Sequence, residues 1–171
     1  CEAERLKPQD HITSKRPQDL ITSKPQNLKK PQKNMDPNKG RIIELPKIVD
    51  PRGNLTVAEQ MKNIPFNIER VYWTYDIPGG ERRGGHAHRS CEEIIIAVSG
   101  SFDVEIFDGK EKKTYHLNHP YQGLYVGTDV WRTLEDFASG SVCLVLASEL
   151  FDEVEYVYDY DEFLERVGCS K

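Results

Sequence analysis

From Arg41 onward, short apolar runs alternate with turn residues, and within the runs the apolar positions repeat with the two-residue period of strands. In SFDVEIF at 101–107, Phe102, Val104 and Ile106 share one face while Asp103 and Glu105 share the other, which predicts a half-buried strand. RIIELPKIV, NLTVAEQ, IERVYWTYD, EEIIIAVSG, KKTYHLN, GLYVG, VWRTLEDF and SVCLVLAS are equally short and rich in β-branched and aromatic residues. Asp50-Pro51-Arg52-Gly53, Pro78-Gly79-Gly80, Asp108-Gly109 and Ser139-Gly140 punctuate them. The Asp-Gly pair predicts a hairpin within EIFDGKEKKTY. Only YDYDEFLERVG, near the C-terminus, has helical spacing, and a glycine closes it. About nine closely spaced strands with almost no helix predict an all-β fold, a jelly-roll sandwich or small barrel.

The first 34 residues are different. PQDHITSK at 8–15 returns as PQDLITSK at 17–24 and decays through PQNLKKPQ at 25–32. The unit has no periodic apolar face and is shorter than repeats that stack around a shared core. Residues 1–34 are therefore expected to form a disordered tail, and residues 35–171 one folded domain. The tail reads first as upstream or appended sequence, because MDPNKGRIIELPKIVD beginning at Met35 resembles a natural start. A basic interaction arm and a lipid-modified Cys1 are the alternatives. Mean hydropathy is −0.64 because this polar tail dilutes the apolar runs.

The net charge of −5 argues against nucleic acid as the main partner. No run approaches the ~20 apolar residues that span a bilayer, and the start carries no apolar signal core, so no membrane partner is expected. Cys1, Cys91, Cys143 and Cys169 form neither a CxxC pair nor a zinc spacing. They read as free thiols, which suits a cytoplasmic protein, although pairing among them is possible in principle.

The candidate chemistry lies in GGERRGGHAHRSCEEIIIAVSG, residues 79–100. Residues i and i+2 of a strand face the same way, so His86 and His88 project together. The spacing Gly80-x5-His86-x-His88-x4-Glu93-x6-Gly100 resembles the first motif of the cupin superfamily, in which two His and a Glu ligate a metal. The second motif of a metal cupin supplies a further His, and the matching place here, after Trp131, holds Arg132. A guanidinium has no lone pair and stays cationic, so it repels a divalent ion. Three ligands plus water remain an alternative, but Glu93 also reads as a salt-bridge partner, and the metal-free reading is preferred. No cofactor is expected. One buried histidine is commonly just core, whereas two on one strand face behind Glu81-Arg82-Arg83 and two glycines point to acid–base work.

Residues 41–165 resemble the sugar-nucleotide 3,4-ketoisomerases of the WxcM-like cupin group, which act on dTDP-4-keto-6-deoxyglucose. DPRGNL at 50–55, NIPFNIERVYW at 63–73, RGGHAH at 83–88, SGSFDV at 99–104, GLYVGTDVW at 123–131 and LASELFDEVEYVYDYDEF at 146–163 carry the resemblance. It implies a cupin jelly-roll barrel with a short C-terminal helix, a metal-free homodimer, and a dTDP-linked 4-keto-6-deoxy sugar as substrate. It further implies His86 and His88 as the acid–base pair, with Tyr72 as the third catalytic member. The chain departs from the group at Gly85, where a bulkier residue is common, and at Arg132, where His is frequent. The sugar and its product stereochemistry are therefore not fixed by the resemblance.

Moving a ketone from C4 to C3 requires removing the C3 proton, passing through an enediol and reprotonating C4. His88 is the expected base, with His86 and Tyr72 positioning or relaying protons. Arg83 is the expected cation near the enediolate. Arg52 and Arg70 are candidates for the diphosphate, since guanidinium binds phosphate oxygens in pairs. Tyr125 and Trp131, placed on adjacent inward-facing strands, are candidates for the sugar or base pocket, as is Arg132 beside them. The rival readings are an epimerase of dTDP-4-keto sugars, a metal-dependent cupin enzyme, and a non-catalytic sugar-nucleotide-binding cupin.

Overall fold

A computed structural model describes residues 36–169; the proposed tail at 1–34 lies outside the described residues. The strands are β1 (Gly40–Glu44), β2 (Lys47–Ile48), β3 (Leu55–Thr56), β4 (Arg70–Thr74), β5 (Arg83–His88) and β6 (Glu93–Ser99). They continue with β7 (Phe102–Phe107), β8 (Lys112–Leu117), β9 (Gln122–Val126), β10 (Trp131–Glu135), β11 (Val142–Ala147) and β12 (Tyr156–Val157). One helix, α1 (Tyr160–Arg166), follows. Asp159 caps it, its carboxylate accepting from the backbone N–H groups of Asp161 and Glu162.

Ten strands form two five-stranded antiparallel sheets, ordered β1-β9-β6-β11-β4 and β12-β5-β10-β7-β8. The sheets pack face to face as a cupin jelly-roll barrel, because each has one apolar face to bury. Ile95, Ala97, Leu124, Val126, Cys143 and Val145 from the first sheet meet Phe102, Val104, Ile106, Tyr115, Leu117 and Leu134 from the second. The alternation in SFDVEIF is borne out, with 102, 104 and 106 buried and the residues between them half-buried. The β7–β8 hairpin turns at Asp108-Gly109, where Asp108 Oδ1 accepts from the N–H groups of Lys110 and Glu111.

NLTVAEQ is not one strand. Leu55–Thr56 pairs in a two-residue ribbon with Lys47–Ile48, and Gln60 makes only an isolated bridge to Ile64. Asn63 captures the rest as a turn: its Oδ1 accepts from Glu59 N at 2.8 Å and its Nδ2 donates to Val57 O at 3.1 Å. This turn delivers Ile64 and Phe66 to the outer face of the first sheet, against Ile94, Ile96, Tyr125 and Leu146. The outer face of the second sheet is covered by α1, whose Phe163 packs with Ala87, Val157, Phe107 and Trp131. Cys91, Cys143 and Cys169 are free thiols. Among the described residues no helix is long and apolar enough to cross a membrane.

Candidate active site

His86 and His88 owe their placement to a break in β5. The β5–β10 register shifts so that Arg132 faces His86 while the next residue, Thr133, faces Gly84. The extra residue, Gly85, has φ +72°, and Gly84 has φ +81°. A Cβ on Gly84 would lie 2.7 Å from the Arg132 carbonyl oxygen, so the bulge requires glycine there. Beyond it both histidines turn inward, with ring centroids 5.2 Å apart at 84°.

Arg132 is the hub. Opposite His86 on β10, it faces the interior and is 3% exposed. Its Nη2 lies 2.7 Å from His88 Nε2 and 2.7 Å from Glu93 Oε2, and its Nη1 donates to the His86 carbonyl oxygen at 3.4 Å. The Glu93 contact is off the hydrogen-bond direction, so it is a charge contact rather than an aligned bond. Glu93, 1% exposed, starts β6 and accepts from the Tyr72 hydroxyl at 2.7 Å. Burial alone would raise its carboxyl. That is the largest single effect, but the Arg132 charge and the polar groups around the carboxylate, the Tyr72 hydroxyl among them, together outweigh it and hold the carboxyl down at about 2. Burial, followed by the Glu93 charge, pushes the Tyr72 hydroxyl well above its usual range.

The two histidines differ in which nitrogen is free. Arginine can only donate, so the nitrogen it touches on His88, Nε2, is an acceptor, which leaves the ring proton to Nδ1 even though that nitrogen is buried without a hydrogen-bond partner. The 3.3 Å from that Nε2 to Glu93 Oε1 is then a contact between two acceptors, the Arg132 guanidinium standing against the other carboxylate oxygen. His86 has the opposite arrangement. Its backbone hydrogen bond to Gly84 favours a ring proton, whereas its Nε2 is buried without a partner. The proton therefore belongs on Nδ1, and Nε2 carries a free lone pair. Burial, then the Arg132 charge, lowers the His86 pKa to about 3, so the ring is neutral near neutral pH.

An aromatic wall closes the pair. The Tyr156 ring lies 4.4 Å from His88 and 4.9 Å from His86, and Tyr158 stacks on Tyr156 at 5.4 Å and 12°. Arg70 borders it, donating to the Tyr156 hydroxyl at 3.3 Å and lying over the rings of Tyr72 and Phe151. The sequence reasoning missed Tyr156 and Tyr158. Their Tyr-x-Tyr spacing carries the same one-face signal as His-x-His, and β12 pairs with β5 to set Tyr156 opposite His88.

The other expected residues lie elsewhere. Tyr125 faces outward, because Leu124 and Val126 take the inward positions of β9; its hydroxyl meets Glu92 and Arg41 covers its ring. Trp131 faces outward because Arg132 faces inward, and it packs edge-on against Tyr160 beneath α1. Nor are β9 and β10 adjacent, since they belong to different sheets. Arg52 is exposed and closed by Asp50 within a turn. Arg83 is exposed at the start of β5, so Arg132, not Arg83, is the cation beside the histidines.

Ligand atoms of His88, Cys91 and Glu93 lie within 4.8 Å of one another, a donor set that invites a divalent ion. It does not fit one, because the Arg132 guanidinium already stands 2.7 Å from the donors of both His88 and Glu93.

A double-sheet barrel enclosing two inward histidines and a buried arginine–glutamate pair is a cupin whose usual metal ligands surround an organic cation instead. The chain belongs to the WxcM-like, C-terminal family (FdtA), whose model matches residues 38–168. It is 44% identical over 123 residues to TDP-4-oxo-6-deoxy-alpha-D-glucose-3,4-oxoisomerase of Aneurinibacillus thermoaerophilus, covering 72% of this chain and 88% of that one. A 3,4-ketoisomerase from Helicobacter canadensis has a similar structure, with TM-score 0.73, 40% identity and coverage of 75% and 97% of the two chains. A third is a His-to-Asn mutant of the 3,4-ketoisomerase QdtA from Thermoanaerobacterium thermosaccharolyticum, in complex with TDP-4-keto-6-deoxyglucose. It matches with TM-score 0.75, 37% identity and coverage of 78% and 96%.

Proposed function

We infer that this protein is a sugar-nucleotide 3,4-ketoisomerase that moves the ketone of dTDP-4-keto-6-deoxyglucose from C4 to C3, in the cytoplasm. The single observation that carries the reading is the His86 ring, neutral, half-buried and with Nε2 unpartnered, in a chain whose named relatives are 3,4-oxoisomerases.

In this reading His86, rather than the His88 expected from sequence, takes the C3 proton on Nε2. The C3–H electron pair moves into the C3–C4 bond and the C4 carbonyl oxygen becomes the enediolate oxygen. A proton passes from the C3 hydroxyl to that oxygen, and His86 returns its proton to C4, leaving the ketone at C3. Arg132 supplies fixed positive charge beside the developing enediolate. Tyr72, whose proton is held by Glu93, braces the network rather than relaying protons. Arg70 is a better candidate for the diphosphate than Arg52. Among the described residues it forms no ion pair, and its Nε is buried without a partner. Incubation with dTDP-4-keto-6-deoxyglucose tests the reading: the C4 carbonyl signal in carbon NMR gives way to one at C3. Substrate that returns unchanged contradicts it.

With Arg132 in the ion's place, exhaustive dialysis against a chelator leaves turnover unchanged. Activity that vanishes on dialysis and returns with one added metal contradicts this assignment.

We also propose that the protein works as a homodimer through the free edge of the first sheet. Val71 and Trp73, 48% and 58% exposed, stand on the outer face of β4, which is an edge strand. An apolar stripe along an unpaired edge fits a second copy by two-fold symmetry. Trp73→Arg is expected to shift the sedimenting species from dimer to monomer; a wild type that sediments as a monomer at micromolar concentration refutes the assignment.

A further inference from the structure

The carboxylate at the centre of the site touches no candidate proton-transfer nitrogen in a productive way, yet it is among the most buried groups in the molecule. Glu93 is 1% exposed; its Oε1 accepts from the Tyr72 hydroxyl, and its Oε2 lies 2.7 Å from Arg132 Nη2 as a charge contact without a hydrogen bond. The same Nη2 reaches His88 Nε2, while Nη1 reaches the backbone carbonyl of His86. One guanidinium therefore touches both histidines, and one carboxylate holds that guanidinium.

We propose that Glu93 is a positioning residue that, through Arg132, locks His88 in its Nδ1–H tautomer and fixes His86 in place. The inference rests on the ketoisomerase reading only for what the histidines then do, since the lock itself follows from donor and acceptor logic. A neutral imidazole accepts on one nitrogen and donates on the other. Arg132 has five N–H donors in a rigid fork and no acceptor, so wherever it is aimed the target must be a lone pair. Glu93 does the aiming. Without its charge the guanidinium has no fixed anionic partner among the described residues, and His88 Nε2 becomes free to carry a proton. Tyr72 enters as the brace on the other oxygen.

Buried partners that orient a neighbouring imidazole typically change activity by about 10- to 100-fold when removed. Glu93→Gln keeps the shape and removes the charge, and Glu93→Asp keeps the charge but withdraws the carboxylate by one methylene. Both are expected to lower kcat by about 10- to 100-fold with KM little changed, Glu93→Asp less than Glu93→Gln.

The readout that a merely structural role would not move is nitrogen NMR of 15N-histidine-labelled protein. In the wild type the His88 proton is expected on Nδ1, with Nε2 bare. In Glu93→Gln the signals shift toward the Nε2–H form. Wild-type kcat in Glu93→Gln overturns the proposal, and so does a fall in kcat with the His88 tautomer unchanged. Should neither variant fold, the wild-type spectrum decides alone: a proton on His88 Nε2 overturns the lock, and a bare Nε2 supports it. The tautomer is read without substrate, so a wild type inactive on the sugar nucleotide would sink the ketoisomerase reading and leave this one standing.

Discussion

His86→Asn is expected to lower turnover by about 10²- to 10⁴-fold, the usual contribution of a positioned acid–base group, while substrate affinity changes little. Asn retains a polar group of similar reach but has no lone pair able to take a carbon-bound proton. Because His86 is only partly buried and its ring nitrogen is unpartnered, the barrel should survive the change. The variant also has a thermodynamic signature. The His86 pKa falls from 6.5 to about 3 on folding, so the unfolded chain binds a proton there that the native chain refuses. Stability linked to this group is present above about pH 6.5 and is lost as pH falls through that window. His86→Asn should therefore flatten the slope of melting temperature against pH between about 6.5 and 4.5. A folded variant with near-normal turnover would remove His86 from the chemistry and return the role to His88.

The largest expected stability effect belongs to Arg132→Met. Removing one member of a buried ion pair leaves the other charge uncompensated, which costs about 3–5 kcal/mol. For a chain of this size that is a fall of roughly 10 °C in melting temperature. The acid profile changes as well. Glu93 is depressed from 4.5 to about 2: burial, the largest single effect, would raise it, and the Arg132 charge together with the neighbouring polar groups outweighs burial. A depressed carboxyl stabilises the fold above its unfolded pKa, here 4.5, and that contribution fades as pH drops toward 2. Without Arg132, burial dominates and the Glu93 pKa rises, so the variant should be most stable in mild acid rather than at neutrality. Arg132→Met that melts within a few degrees of wild type and keeps its acid profile would show that the charge pair is not the hub described.

Much of this was legible in the sequence, and the failures have physical causes. The period-2 alternation of SFDVEIF, the Asp-Gly hairpin and the capped C-terminal helix read correctly, because each is written in local residue chemistry. NLTVAEQ misled because the Asn63 side chain, several residues away, takes the backbone groups a strand would have used. The position of Arg132 in the place of a metal-cupin histidine was visible from motif spacing, and so was Glu93 as an ion-pair partner. Their mutual contact depends on β10 and β6 facing each other across the barrel, which spacing does not encode. Tyr125 and Trp131 were misplaced by parity: one residue along a strand reverses the face, and each sits beside a residue that claims the interior. The choice of His88 over His86 had no basis in sequence at all. The two are equivalent in His-Ala-His, and only the guanidinium against one and the Gly84 backbone against the other tell them apart.

The central claim is that the carbon-bound proton at C3 is the one removed, and one measurement addresses it: NMR of the product formed from dTDP-4-keto-6-deoxyglucose deuterated at C3. The account predicts that deuterium leaves C3 in step with the appearance of a ketone there, either to solvent or carried by His86 to C4. A product that keeps its ketone at C4, whether the hydrogen exchanged is the one at C3 or the one at C5, would mark an epimerase and contradict the account.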